Sequence, residues 1–249
     1  MKRFARYYQG SVLLTSFFII LTSNAYCAPA GGESAFGKSD YKAAYQEFKP
    51  LAERGDATAQ CVLGYMYEQG LGVRKDHSAA MKWWLMAAHG GNADAQFNLG
   101  IVYSEGRGVP RDYAEAAKWT RKAAEQGHAM AQYNMGINYL EGQGVSGDYS
   151  EVAKWFRKAA EQGHAKAQYN LGVMYKNGWG VSKDYAEAAK WYRKAAEQGH
   201  AQARYNLGLM YQNGLGVRED HAEASEWLGN AENQRFAPSH GASEETVSR

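Results

Sequence analysis

Strong charge of either sign is missing from this sequence. It carries 28 Lys and Arg against 26 Asp and Glu, and without Lys2, Arg3 and Arg6 the balance is 25 against 26. Nucleic-acid and anionic-membrane binders show a basic surplus, so nucleic acid is not expected as a partner. Long apolar runs are missing too. Residues 12–21 (VLLTSFFIIL) fall short of the ~20 residues that a spanning helix needs. They follow the basic Lys2, Arg3 and Arg6 and precede small residues: Ala28-Pro29-Ala30 is an A-x-A site and Ala25-Tyr26-Cys27 a less usual one. This is the layout of a cleaved secretory signal over residues 1–30. The chain is then expected to be exported, periplasmic or secreted, monomeric, and without stable membrane insertion. An uncleaved anchor is one alternative. A lipoprotein attached through Cys27 is another, although Tyr26 stands where such a signal wants a small residue.

What is present is a repeat. Residues 164–199 (HAKAQYNLGVMYKNGWGVSKDYAEAAKWYRKAAEQG) recur as a 36-residue pattern without insertion. Gly64, Gly100, Gly136, Gly172 and Gly208 share one phase, and Tyr67, Tyr103, Tyr139, Tyr175 and Tyr211 another. Gly72, Gly108, Gly144, Gly180 and Gly216 share a third, Asp76, Asp112, Asp148, Asp184 and Asp220 a fourth, and Trp83, Trp119, Trp155, Trp191 and Trp227 a fifth. A fixed period of this size is the signature of a stacked solenoid. Ala167, Leu171, Gly172 and Tyr175 give helical spacing over residues 165–176. Glycines at 178 and 180 stop that helix. Asp184 with Glu187 opens a second helix as a capping box, as do Asp112/Glu115, Asp148/Glu151 and Asp220/Glu223. Gly172, Ala195 and Ala196 let the two helices approach, and Trp191 is expected to fill the space between them.

The segments read as a signal (1–30), a linker (31–38), an N-terminal capping helix (39–55) and five repeats (56–91, 92–127, 128–163, 164–199 and 200–235). A disordered tail (236–249), rich in Ser, Glu and Ala, completes the chain. Pro50 removes a backbone donor inside the capping helix and is expected to kink it. The fold class is all-α, an α-solenoid of helix-turn-helix repeats.

The pattern A-x-A-Q-x-x-L-G-x-x-Y-x-x-G-x-G-V-x-x-D, then A-x-x-W-x-x-A-A-x-x-G, resembles the Sel-like repeat family, relatives of tetratricopeptide repeats. The resemblance covers residues 56–235. It implies a tetratricopeptide-like superhelix whose first helices line a concave surface, and a non-catalytic adaptor that holds other proteins together. Some cysteine-rich exported members of the family are described as β-lactamases or penicillin binders, which makes a cell-wall-related activity the rival reading. Those members look like arrays with a disulfide in each repeat, and this chain lacks those cysteines. An envelope-organising structural protein without a discrete peptide ligand is a third reading.

Removal of the signal at Ala28 or Ala30 leaves Cys61 alone, at the phase where later copies carry Phe97, Tyr133, Tyr169 and Tyr205. A lone thiol has no intramolecular partner, so packing rather than staples is expected to hold the array. Cys61 reads as a small half-buried hydrophobe, with intermolecular pairing as the alternative.

Motifs of enzymes are present only out of context. Residues 142–147 (GQGVSG) fit G-x-G-x-x-G but follow a helix rather than a strand. Residues 39–42 (SDYK) fit S-x-x-K, with no S-D-N and no K-T-G elsewhere. His128, His164 and His200 share a phase with Asp56 and Asn92, which marks a helix start rather than a ligand set. No catalytic, cofactor or metal residues are assigned. Arg121 with Glu125 and Arg193 with Glu197 read as a locally balanced, solvated outer face.

A partner segment has one expected seat. A step of 100° per residue puts Asn170 and Val173 opposite Leu171, with Lys166 and Tyr169 beside them. Repetition gives a row of Asn98, Asn134, Asn170 and Asn206 beside Tyr133, Tyr169 and Tyr205, which would read the backbone of a protein or peptide. Specificity would come from positions that vary: Thr58, Asp94, Met130, Lys166 and Gln202, or the loop series Leu71, Arg107, Gln143, Trp179 and Leu215. The structural alternative has each asparagine bonding a neighbouring loop and each tyrosine packing between repeats.

Overall fold

The computed structural model describes Cys27 and residues 40–235, with side chains up to residue 229. The signal, linker and tail readings lie outside the described residues, Cys27 excepted. Eleven helices and no strand stand among the described residues. They are α1 (Tyr41–Glu53), α2 (Ala57–Gln69), α3 (His77–His89), α4 (Ala93–Glu105), α5 (Tyr113–Glu125) and α6 (Ala129–Glu141), followed by α7 (Tyr149–Glu161), α8 (Ala165–Asn177), α9 (Tyr185–Glu197), α10 (Ala201–Gln212) and α11 (His221–Arg235). α1 continues through Pro50 to Glu53. Two compact units divide between Ala159 and Ala160. In the first, each helix from α1 to α5 packs on the next, and Gly136 of α6 lies against Phe156 of α7. In the second, α8 packs on α9, α9 on α10 and α10 on α11. Such consecutive pairing in 36-residue steps is an α-solenoid.

Polar side chains set the helix ends. Asp56, Asn92, His128, His164 and His200 each accept the amide N–H three residues on, at 2.7–3.3 Å. Gly70, Gly106, Gly142 and Gly178 end the first helices of four repeats in left-handed backbone with φ of 71–73°, where glycine has no steric penalty. On the second helices, Asp112 and Asp184 each accept two amides through Oδ1. The expected capping box is only half made. The amides of Asp112 and Asp184 donate to the carbonyls of Tyr103 and Tyr175, which closes the loop. Glu115, Glu151 and Glu187 turn instead to Lys118, Lys154 and Lys190 one turn on.

The helix-phase glycines explain how the pairs approach, with a correction. The pattern sets Trp191 against Gly172, but it is Tyr192 that lies there, and a β-carbon on Gly172 would stand 2.7 Å from its ring. The partners of Gly64, Gly100, Gly136 and Gly208 are likewise the residues after the tryptophan phase: Trp84, Thr120, Phe156 and Leu228. One residue is a 100° turn, enough to point the tryptophan elsewhere. Trp155 joins Ala123 and Ala124 of the preceding repeat beside Met135 of its own, and Trp119 joins the core that holds Ala87 and Ala88. Lys122, Lys158 and Lys194 cover the faces of Trp119, Trp155 and Trp191 at 4.2–4.4 Å from the ring centres. The tryptophan phase therefore joins repeat to repeat, and the next residue joins helix to helix.

Candidate partner-binding face

In the first unit, Asn98 lies buried on α4 and its Nδ2 donates to Sγ of Cys27 at 3.4 Å. Cys27 is bonded to Cys61 of α2 as a disulfide, with Cα atoms 5.4 Å apart. Cys61 is therefore not a lone thiol, and a covalent staple joins the packing. The reading that leaves it alone rests on a cut beyond Cys27. Phe97 stacks on His128 with ring centres 4.7 Å apart, and Tyr133 on Phe156 at 5.5 Å. Asn134 is half-buried.

The second unit repeats the arrangement. Tyr169 stacks on His200 at 4.6 Å and tilts against Tyr192 at 5.8 Å. Asn206 is buried, while Tyr205 is 51% exposed and Lys166 exposed. Trp179 is half-buried in its loop, its amide N–H donating to the carbonyl of Met174. Asn170 is only 3% exposed, and its Nδ2 has no hydrogen-bond partner. The spacing argument places Asn170 and Val173 on an open side, whereas both are buried. A helix packed by its own partner helix and by the next repeat has little open side left, so Gln168 and residues 170–174 are buried together. What remains accessible of the proposed row is Lys166, Tyr205 and the partly covered Asn134, Tyr133, Tyr169 and Trp179.

The histidines act through one nitrogen. Nδ1 of His128, His164 and His200 accepts the amide of Ala131, Ala167 and Ala203, so that nitrogen carries no proton. Burial, reinforced by the charge of Lys166, pushes the His164 and His200 pKa values down to about 4 and keeps both rings neutral at pH 7. In the first unit Nε2 of His128 stands 3.3 Å from Asp94 Oδ1. Asp94, a variable position, is thus drawn into the next helix start.

Three further contacts escape a reading of spacing. Nε2 of Gln60, Gln96, Gln132 and Gln168 donates to the carbonyls of Ala52, Ala88, Ala124 and Ala160 at 3.0–3.1 Å, and Arg204 takes this role towards Ala196. Each adds a second hydrogen bond to a carbonyl near the end of the preceding helix, which also accepts the amide of the glycine three residues on. The A-x-A-Q motif shows the glutamine, but its target lies eight residues back, beyond any helical neighbour. Glu68 is buried, with Arg107 at 2.5 Å and His77 at 2.7 Å, so Arg107 ties one repeat to the last rather than standing ready for a ligand. Arg121 and Arg193 donate to the phenolic oxygens of Tyr139 and Tyr211 in the following repeat, not to Glu125 and Glu197. Of the enzyme-like motifs, residues 142–147 form the cap and loop after α6, and Lys42 is exposed while Ser39 lies outside the described residues.

Comparison with known proteins agrees with this geometry. The Sel1 repeat model matches five times, at residues 57–92, 93–128, 129–164, 165–200 and 201–234. A protective antigen present in uropathogenic Escherichia coli strains, displaying an SLR fold, is 45% identical with a TM-score of 0.73 over 76% of this chain and 40% of that one. This chain thus spans about two fifths of that antigen's length. A Sel1 repeat protein from Oxalobacter formigenes is 37% identical with a TM-score of 0.76, covering 81% of this chain and 83% of that one. No curated protein matches.

Proposed function

The chain belongs to the Sel1 repeat family, and from that premise we propose that it is an exported, non-catalytic scaffold that holds an extended partner segment against its first helices. Proteins of this fold typically mediate protein–protein contacts. No helix among the described residues is long and apolar enough to cross a membrane. Export is supported by the layout of residues 1–30 and by a disulfide, a bond that persists in oxidising compartments.

One observation carries the binding reading. At the asparagine phase, Asn98 donates to a residue from outside the repeats, Cys27. At the same phase in the second unit, the buried Nδ2 of Asn170 has no hydrogen-bond partner. A buried donor without an acceptor costs about 1–3 kcal/mol, and a partner's backbone carbonyl, admitted by a shift of the side chains that cover Asn170, would relieve it. The stacked Tyr169 beside it offers apolar area, and exposed Lys166 favours an acidic side chain on the partner.

The test is site-directed photo-crosslinking in intact cells. A photoreactive residue at Lys166 should yield one discrete adduct, and the same residue at exposed Lys190 on α9 should not. Equal adducts from both positions, or none from Lys166, would overturn the assignment to the first helices.

A further inference from the structure

We infer that the exported chain begins at Tyr26, so that Cys27 stays in the mature protein as a disulfide staple on the first repeat. This rests on the export reading and moves the cut upstream of Ala28-Pro29-Ala30.

The seat of Cys27 is built. Its residue is 2% exposed, its sulfur is bonded to Cys61, and that sulfur accepts a hydrogen bond from the buried amide of Asn98. Cys61 occupies the phase where Phe97 and Tyr169 carry rings stacked on the histidine cap of the next first helix. In the first repeat that cap is Asn92, which offers no ring. A thiol is smaller than a ring, and the disulfide to Cys27 adds a second sulfur at that phase. A cut after Ala28 or Ala30 would remove Cys27. It would strip Cys61, in the core of the first unit, of its bond and the buried Asn98 of its acceptor.

The sequence offers a site that avoids this. Ser23-Asn24-Ala25 places small residues at the two positions an A-x-A-like site needs, four residues beyond Leu21. A cut after Ala28 would instead put Pro29 at the new N-terminus. Hydrolysis of the Ala25–Tyr26 peptide bond adds one water, giving a carboxylate on Ala25 and an amine on Tyr26. The staple then forms by thiol–disulfide exchange with a protein disulfide of the oxidising compartment. The Cys61 thiolate attacks it to give a mixed disulfide, the Cys27 thiolate displaces the second sulfur, and the oxidant leaves as a dithiol carrying both electrons.

The experiment expresses the full chain in a Gram-negative host, recovers it from the periplasm, and determines its N-terminus and intact mass before and after reduction. The expected product starts at Tyr26, is lighter than its dithiol by two hydrogens, and takes up no alkylating agent until reduced. Ala25→Phe should stop this cut, and Ala30→Phe should leave it. Reductant should lower the melting temperature by on the order of 5–10 °C and leave that of Cys61→Ser unchanged. A product starting at Pro29 or Gly31 with an alkylatable Cys61, or a chain acylated on Cys27, would overturn the inference with export intact. Precursor held uncut in the cytoplasm would overturn the export reading and the inference with it.

Discussion

The ring of Tyr192 lies directly against the α-carbon of Gly172, leaving no room for a side chain between α8 and α9. Alanine at 172 favours a helix by up to about 1 kcal/mol, yet its β-carbon would meet ring atoms at 2.7–2.8 Å. Overpacking of this kind costs about 1–3 kcal/mol, so Gly172→Ala is expected to be net destabilising. Combining it with Tyr192→Ala should cost less than the sum of the two changes, because the second substitution removes the clash. Additive costs in denaturant titrations would show that the glycine is not there for the ring.

The tryptophan phase makes a separate prediction. Trp155 is 5% exposed among side chains of the preceding repeat, whereas Trp227 in α11 is only half-buried and its Nε1 bonds Glu223 of its own helix. Trp155→Ala should cost about 3–5 kcal/mol as a large-to-small core change. Trp227→Ala should cost clearly less, and equal small shifts in the melting curve would contradict the placement.

Element order and helix limits were legible because the punctuation repeats. The observed Ala165–Asn177 extends the expected 165–176 by one residue, since Asp, Asn and Gly report local backbone needs that tertiary packing does not override. Side-chain destinations were less legible. Adjacent residues differ by 100°, so a pattern that marks Trp191 as inward misses that Tyr192, one residue on, meets Gly172. The partners of Gln168 and Arg193 lie in neighbouring repeats, at separations no helical rule inspects. In the sequence, the A-x-A site at residues 28–30 reads as removing Cys27 from the exported chain. Its pairing depends on a contact with Cys61, 34 residues away. The candidate face was legible as a row of asparagines, but the burial of Asn98, Asn170 and Asn206 follows from packing on both sides of each first helix.

Stability should depend on pH through the buried caps. His164 and His200 bind protons near pH 4 when folded and near the ordinary 6.5 when unfolded. Between those values the unfolded chain binds more protons, so stability is full above pH 6.5 and falls as pH drops toward 4. Protonation also takes the Nδ1 lone pair that caps α8 and α10. Asparagine already caps α4 through Asn92, so His164→Asn with His200→Asn should keep the helices and flatten that part of the profile. Parallel melting curves for both proteins from pH 7 to 4 would refute the assignment.

The asparagine row yields the sharpest separation between structural and binding roles. If Asn170 served the fold, its amide would have an acceptor and its removal would cost the desolvation of whatever it left behind. Instead its buried Nδ2 has no hydrogen-bond partner. Asn170→Leu, with the same branched heavy-atom skeleton and without the amide, is therefore expected to leave the melting temperature unchanged or raise it by a few degrees. Asn134→Ala, at a half-buried position, should be near neutral. Together the two substitutions should abolish the crosslinked adduct formed from position 166. A large loss of stability with the adduct retained would mean that the asparagines serve the repeats themselves, and that the partner is read elsewhere.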